Sequence, residues 1–233
     1  MKKQQSGLPM SSPKRLGVLA SGRGTDLQSI IDTCEAGHID AEVSCIISDN
    51  KDAGALQRAK QYEIPYYHVD YTGKKREIAE EEITAHFTSH DCDLLVGAGF
   101  MRLFSSSFVT SWHHRLINIH PALLPSFRGI HGQKDALEYG VKITGCTTHF
   151  VDEDMDNGPI ILQAAVIVFD TDTTESLSQR ILLAEHQILP RTIDLITKER
   201  ITIQGRHTVI EHDDDSWKDR FPVLSGVLYS DGY

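Results

Sequence analysis

Cysteine is scarce in this sequence, and the four present, Cys34, Cys45, Cys92 and Cys146, lie far apart. None belongs to a CxxC pair, and no nearby His completes a zinc-ligand spacing, so no metal is expected. Scattered thiols of this kind read as free core residues of a reducing compartment, not as a disulfide framework. Long apolar runs are also missing, and none approaches the roughly 20 residues of a membrane-spanning helix. The polar stretch Met1 to Arg15 carries several Lys but lacks an apolar h-region, which excludes a secretory signal. It is expected to be a disordered lead-in, and the protein is expected to be cytoplasmic. Positive charge is in deficit, with 23 Lys and Arg against 33 Asp and Glu and a net charge of −10. Binding along a nucleic-acid backbone needs clustered Lys and Arg, so nucleic acid is not expected as a partner. A small anionic ligand needs only a local site. Internal repeats and clean linkers are absent too. The 233 residues suffice for one domain with a proper core. The expected organisation is the lead-in over 1–15, one domain over 16–206, and an extension over 207–233 with no assignable role.

What is present is an alternation of apolar runs and amphipathic stretches. Leu16 to Ala20 reads as a buried strand that runs into the Gly-rich turn Ser21-Gly22-Arg23-Gly24-Thr25-Asp26. Leu27, Ile30 and Ile31 then recur at helical spacing up to about Gly37. Strands are predicted at Val43 to Ile47, Tyr66 to Val69 and Leu94 to Ala98, with helices over Ala53 to Tyr62 and Glu77 to His90. Such alternation implies parallel βαβ units, whose ligands sit at the carboxyl ends of the strands. The second half differs. Arg115 to Ile119 reads as a strand, His120 to Gly132 as a loop, and Lys134 to Tyr139 as a short helix. Thr144 to Val151 and Ile160 to Phe169 read as a long-looped hairpin. Thr174 to Ile196 is an amphipathic helix, followed by weak strand signals at Ile201 to Ile203 and near Val209.

Three stretches could carry chemistry. Backbone N–H groups at a helix N-terminus bind anions, and glycine lets a phosphate approach closely, so the Gly24 turn suits a phosphate. It lacks the third glycine of the dinucleotide fingerprint and the Gly-Lys-Ser/Thr of a P-loop. Its other reading is a tight turn that needs positive φ. In Asn118-Ile119-His120-Pro121, residues two apart on a strand share a face, so Asn118 and His120 project together. An amide can donate to a developing oxyanion, and an imidazole can pass a proton. The alternative is that both merely satisfy backbone groups at a strand end. Third, Asp152, Glu153, Asp154 and Asp156 crowd into one turn without EF-hand spacing. A carboxylate beside His120 would favour its charged form. Among the other histidines, His131 follows in the same loop and could border a site. His149, in an apolar strand, reads as structural.

Taken together, and in this order, Leu19 to Thr25, Ala98 to Arg102, Asn118 to Pro125, Thr148 to Val151 and Asp156 to Ile161 resemble the phosphoribosylglycinamide formyltransferases. These are folate-dependent enzymes of purine biosynthesis. The resemblance spans about Leu16 to Arg206. It implies an α/β fold, with an open, mostly parallel Rossmann-like sheet flanked by helices and antiparallel strands in the C-terminal half. The implied reaction is direct formyl transfer from 10-formyltetrahydrofolate, as cosubstrate, to the amine of glycinamide ribonucleotide. On the matching positions, His120 is implied as proton donor and Asn118 as holder of the formyl oxygen. Asp156 is implied to keep His120 charged and to order water. Gly24, Thr25, Asp26 and Glu185 match ribonucleotide contacts. Arg76, Met101, Arg102, Leu103 and Phe104 match folate contacts, with Asn118, Asp152 and Asp156 completing the folate side. The implied partners are these small molecules alone, with neither nucleic acid nor membrane, and a homodimer is compatible with them.

Some positions depart from the family pattern. Asp26 stands where an Asn is usual, and a carboxylate beside a phosphate is unfavourable unless contact is through its backbone N–H or Arg23 offsets it. Leu182 replaces a polar contact found in some relatives. The rival families are formyltetrahydrofolate hydrolases, which usually carry a second His where Pro121 stands here, and nucleotide-sugar formyltransferases.

Overall fold

The computed structural model describes residues 12–211 and 217–233. Most of the expected lead-in lies outside the described residues, but Lys14 and Arg15 already belong to the first strand, β1 (Lys14–Leu19). Its last four residues are buried. That is the pattern of a strand covered on both faces, and it explains why the sequence shows an unbroken apolar run there.

The first half is a chain of parallel units. After β1 come α1 (Thr25–Glu35), β2 (Ala41–Ser48), α2 (Gly54–Gln61), β3 (Tyr66–His68), α3 (Arg76–Ser89), β4 (Leu94–Gly97), α4 (Ser106–Ser111) and β5 (Leu116–His120). Sheet order here is β3-β2-β1-β4-β5, with every pairing parallel. The order reverses between β1 and β4. That is the topological switch point, where two connections leave in opposite directions and open a crevice at the carboxyl ends of the strands.

The second half turns antiparallel. It contains α5 (Gly132–Tyr139), β6 (Ile143–Phe150), β7 (Ile160–Ile167) and α6 (Thr174–Thr197). Strand β6 pairs antiparallel with β5, β7 with β6, and β10 (Val227–Tyr229) with β7, completing an eight-stranded sheet. A separate hairpin joins β8 (Ile201–Gln204) to β9 (His207–Ile210).

Three features differ from the sequence expectations. His120 closes β5 and does not open the following loop. Helix α4 is not legible in the sequence, because it is short and rich in Ser. It forms because Ser105 caps it, accepting from Phe108 N–H, while the buried Glu80 carboxylate takes the Ser105 N–H at 2.8 Å. The stretch beyond Arg206 has a structural role. Trp217 is 1% exposed and packs into the main core, and β10 extends the sheet.

The sheet has a core on each face. One gathers Leu27, Ile30, Leu177, Ile181 and Ile188 from α1 and α6. The other gathers Ile83, Phe87, Phe108 and Trp112 from α3, α4 and the segment just after it. No helix of the described residues is long and apolar enough to cross a membrane.

Candidate active site

A cavity of about 750 Å³ opens at the carboxyl ends of β1, β4 and β5, within the range of small-molecule sites. One end is the turn between β1 and α1. Gly24 has φ 72°, and a Cβ there would stand 2.7 Å from Ala55 Cα, so only glycine fits. The first bond of α1 runs from Gln28 N–H to Gly24 O, and no side chain caps the helix. The N–H groups of the first turn are thus left to an outside acceptor, and the helix dipole favours an anion there.

Asp26 and Glu185 close this end. Asp26 is 9% exposed and Glu185 7%. Burial pushes the Asp26 carboxyl up to about 7. Burial, and then the charge of Asp26, carries Glu185 well above the usual carboxylate range. His186 Nε2 lies 3.7 Å from Asp26 Oδ1. Burial lowers the His186 pKa, which holds the ring neutral.

The other end is built around the turn after β4. Ser21 N–H donates to Gly99 O at 3.1 Å, and Met101 N–H donates to Ser21 Oγ at 2.9 Å, so the two switch-point turns are tied together. Met101 and Leu103 are 59% and 54% exposed and line the cavity. Phe104 stacks between Phe100 and Phe108 at 5.5 and 4.8 Å. Arg102 is held by Asp49 at 2.6 Å and lies over the Tyr71 ring. Arg76 lines the same end.

The centre joins β5, β6 and the β6–β7 loop. His120 is 3% exposed, and its Nε2 lies 2.8 Å from Phe127 O. A carbonyl only accepts, so Nε2 carries the proton. Nδ1 faces Asp156 Oδ2 at 3.4 Å. Asp156 adopts φ 49°, a left-handed conformation that costs free energy in a non-Gly residue and is held here by Gly129 N–H donating to Oδ2 at 2.9 Å. Asn118 Nδ2 lies 3.4 Å from His149 Nε2. His149 Nδ1–H donates to Phe150 O at 2.8 Å, so Nε2 accepts from the Asn118 amide. Burial lowers the His149 pKa and keeps that lone pair free. A Cβ on Gly97 would stand 2.6 Å from Asn118 Oδ1. Gly97 and His149 together fix the amide's direction.

The residues matched to the family's catalytic, ribonucleotide and folate positions all line this one cavity: Gly24, Thr25, Asp26 and Glu185 at one end, Arg76, Met101, Arg102, Leu103 and Phe104 at the other, and Asn118, His120, Asp152 and Asp156 between. Asp152 accepts from Asn157 Nδ2 at 3.2 Å, which ties down the acidic loop. His131, which the sequence leaves as able to border the site, is exposed at the start of α5, and its neighbours Ile130 and Gln133 line the cavity instead. His149 does not fit its structural reading, because it lies directly opposite Asn118 in the β5–β6 register. Knowing that β5 pairs with β6 would have revealed it, but strand patterns alone carry no partner.

Known proteins resemble this chain over most of its length. The formyl transferase family model matches residues 14–193. Phosphoribosylglycinamide formyltransferase of Mycobacterium tuberculosis is 40% identical over 200 residues, covering 85% of this chain and 92% of that protein. The trifunctional purine biosynthetic protein adenosine-3 of Drosophila melanogaster is 46% identical over 188 residues, 78% of this chain, and the chain spans only 14% of its length. The crystal structure of glycinamide ribonucleotide transformylase 1 from Symbiobacterium toebii superposes with a TM-score of 0.85 at 42% identity, covering 89% of this chain and 99% of that one. A formyltetrahydrofolate deformylase from Pseudomonas syringae shares the fold at a TM-score of 0.81 and 30% identity, covering 86% of this chain and 66% of that one. With a matching model over most of its length and relatives of this identity, the chain belongs to the formyl transferase family.

Proposed function

We propose that this protein transfers the formyl group of 10-formyltetrahydrofolate to the amine of N1-(5-phosphoribosyl)glycinamide, giving the N-formyl product and tetrahydrofolate, a step of de novo purine biosynthesis. The observation that carries this reading is one cavity with an uncapped helix N-terminus at one end and Asn118, His120 and Asp156 at its centre. The formyl carbon arrives activated, so catalysis rests on placement and on charge stabilisation. The amine nitrogen attacks the formyl carbon, and negative charge develops on the formyl oxygen. The Asn118 amide, oriented by His149, donates to that oxygen. The C–N bond to the folate then breaks. In balance, one proton leaves the amine and one reaches the folate nitrogen. His120 serves this exchange through Nδ1, since Nε2 is tied to Phe127 O. The Asp156 carboxylate stands 3.4 Å from Nδ1 and faces the proton being exchanged. A phosphate held at the Gly24 turn orients the distant amine through binding energy spent far from the reacting atoms.

Hydrolysis of the same cosubstrate is the second reading, favoured by the likeness to the deformylase fold. An assay of purified protein with 10-formyltetrahydrofolate, with and without glycinamide ribonucleotide, separates the two. The proposal expects turnover only with the acceptor present. Formate release without acceptor supports the hydrolase, and turnover with a nucleotide-sugar amine alone supports the sugar-directed reaction.

A further inference from the structure

The buried carboxyl at the acceptor end does not belong beside an anion. Asp26 Oδ1 is inaccessible and has no hydrogen-bond partner, and the same holds for His186 Nε2, 3.7 Å away. Asp26 sits in the first turn of α1, whose free N–H groups suit a phosphate, and it lines the cavity beside Glu185. Among the described residues, the groups facing it offer no compensating cation. His186 on α6 is held neutral by burial. Glu185 on the same helix is an acid, as is the buried Cys146 thiol of β6, which interacts with both carboxyls. Arg58 of α2 is committed to Arg23 O at 3.0 Å and Gln28 Oε1 at 2.6 Å. Asp32, further along α1, takes a hydrogen bond from Gln28 Nε2. Arg23 is exposed and forms no ion pair with Asp26 among the described residues.

An ionised Asp26 would thus set a second negative charge against the anionic end of the acceptor. In a buried site such like-charge contact strongly disfavours binding. A neutral Asp26 removes the repulsion and gains a donor. We propose that Asp26 is a specificity-determining residue that admits the phosphorylated acceptor only in its protonated form, so that acceptor binding weakens as this carboxyl ionises. This rests on the formyl-transfer reading for the identity of the acceptor, though the subsite itself is argued from geometry. Burial pushes the Asp26 carboxyl up to about 7, the direction such a dependence requires.

The test compares the wild-type protein with Asp26→Asn, which keeps the shape and removes the titration. Between pH 6 and pH 8 the wild-type KM for glycinamide ribonucleotide should rise about tenfold more than that of the variant, as the protonated fraction of one group falls about tenfold. The KM for 10-formyltetrahydrofolate should change equally in both proteins. The acceptor's own amine and phosphate titrate alike against both, so the ratio isolates Asp26. Binding of ribose 5-phosphate, read by calorimetry at the same two pH values, keeps the test independent of turnover. The same excess weakening in the wild type is expected. Parallel pH profiles for the two proteins in these measurements would overturn the proposal while leaving formyl transfer standing. Loss of turnover with ribose 5-phosphate binding still pH-dependent would sink the formyl-transfer reading and leave the role of Asp26 intact.

Discussion

At the residue scale the centre of the site depends on which nitrogen holds which proton. His120 gives Nε2–H to a carbonyl and turns Nδ1 to Asp156, while His149 gives Nδ1–H to a carbonyl and turns Nε2 to Asn118. Two rings of one type thereby take opposite tautomers and different tasks. Asp156 does two things at once, facing His120 and holding the loop through Gly129 N–H. The two can be separated. Asp156→Asn keeps an acceptor for Gly129 and loses the charge, so kcat should fall by about 10²-fold with little change in folate KM. Asp156→Ala loses both, and folate KM should rise as well. Equal KM effects in the two variants would show that the loop contact does not matter. Period-two alternation made Asn118 and His120 legible as a pair, whereas His149 was not, because its meaning comes from a strand that arrives about thirty residues later.

Close backbone approaches between elements hold these residues in place. The glycine ending β4 makes room for the Asn118 oxygen on β5, and the glycine before α1 lets that helix start against Ala55. Gly97→Ala must displace the Asn118 amide. The expected result is a fall in kcat of roughly 10²-fold, the cost of about 1 Å of misplacement, at nearly unchanged acceptor KM. A destabilisation of about 1–3 kcal/mol from overpacking should accompany it in chemical denaturation. Normal kcat in a correctly folded variant would remove the positioning role of Gly97. Parallel strands were readable as unbroken apolar runs, and the helices between them by period. The antiparallel edge was only partly readable. The β6–β7 hairpin could be seen in sequence, but the pairing of β6 with β5 and of β10 with β7 is set by packing and not by local pattern. Helix α4 was hidden for a similar reason, since its cap is braced by Glu80 from a different helix.

At the scale of the whole molecule, the switch point between β1 and β4 gathers turns distant in sequence into one crevice, and β10, beyond Arg206, forms one edge strand of the sheet. The tail was illegible because short strand and single-Trp signals gain meaning only against a finished core. The buried carboxyls at the acceptor end also make stability depend on pH. Burial on folding pushes the Asp26 carboxyl up from the ordinary 3.8 to about 7. Between those values the folded state keeps a proton that the unfolded state has released, so this contribution is most favourable below about pH 4 and declines until about pH 7. Relative to wild type, Asp26→Asn should gain Tm progressively across that window and hold the gain above it. A difference independent of pH would show that burial does not perturb Asp26. Asn118, His120 and Asp156 are proposed to pass a formyl group to an amine held by the Gly24 turn. Following a ¹³C-labelled formyl group from 10-formyltetrahydrofolate, in the presence of glycinamide ribonucleotide, in the wild type and in His120→Ala puts this to the test. Label is expected on the acceptor amine in the wild type, with transfer slower by orders of magnitude in the variant and an unchanged far-UV spectrum. Label released as free formate, or equal transfer by both proteins, would contradict it.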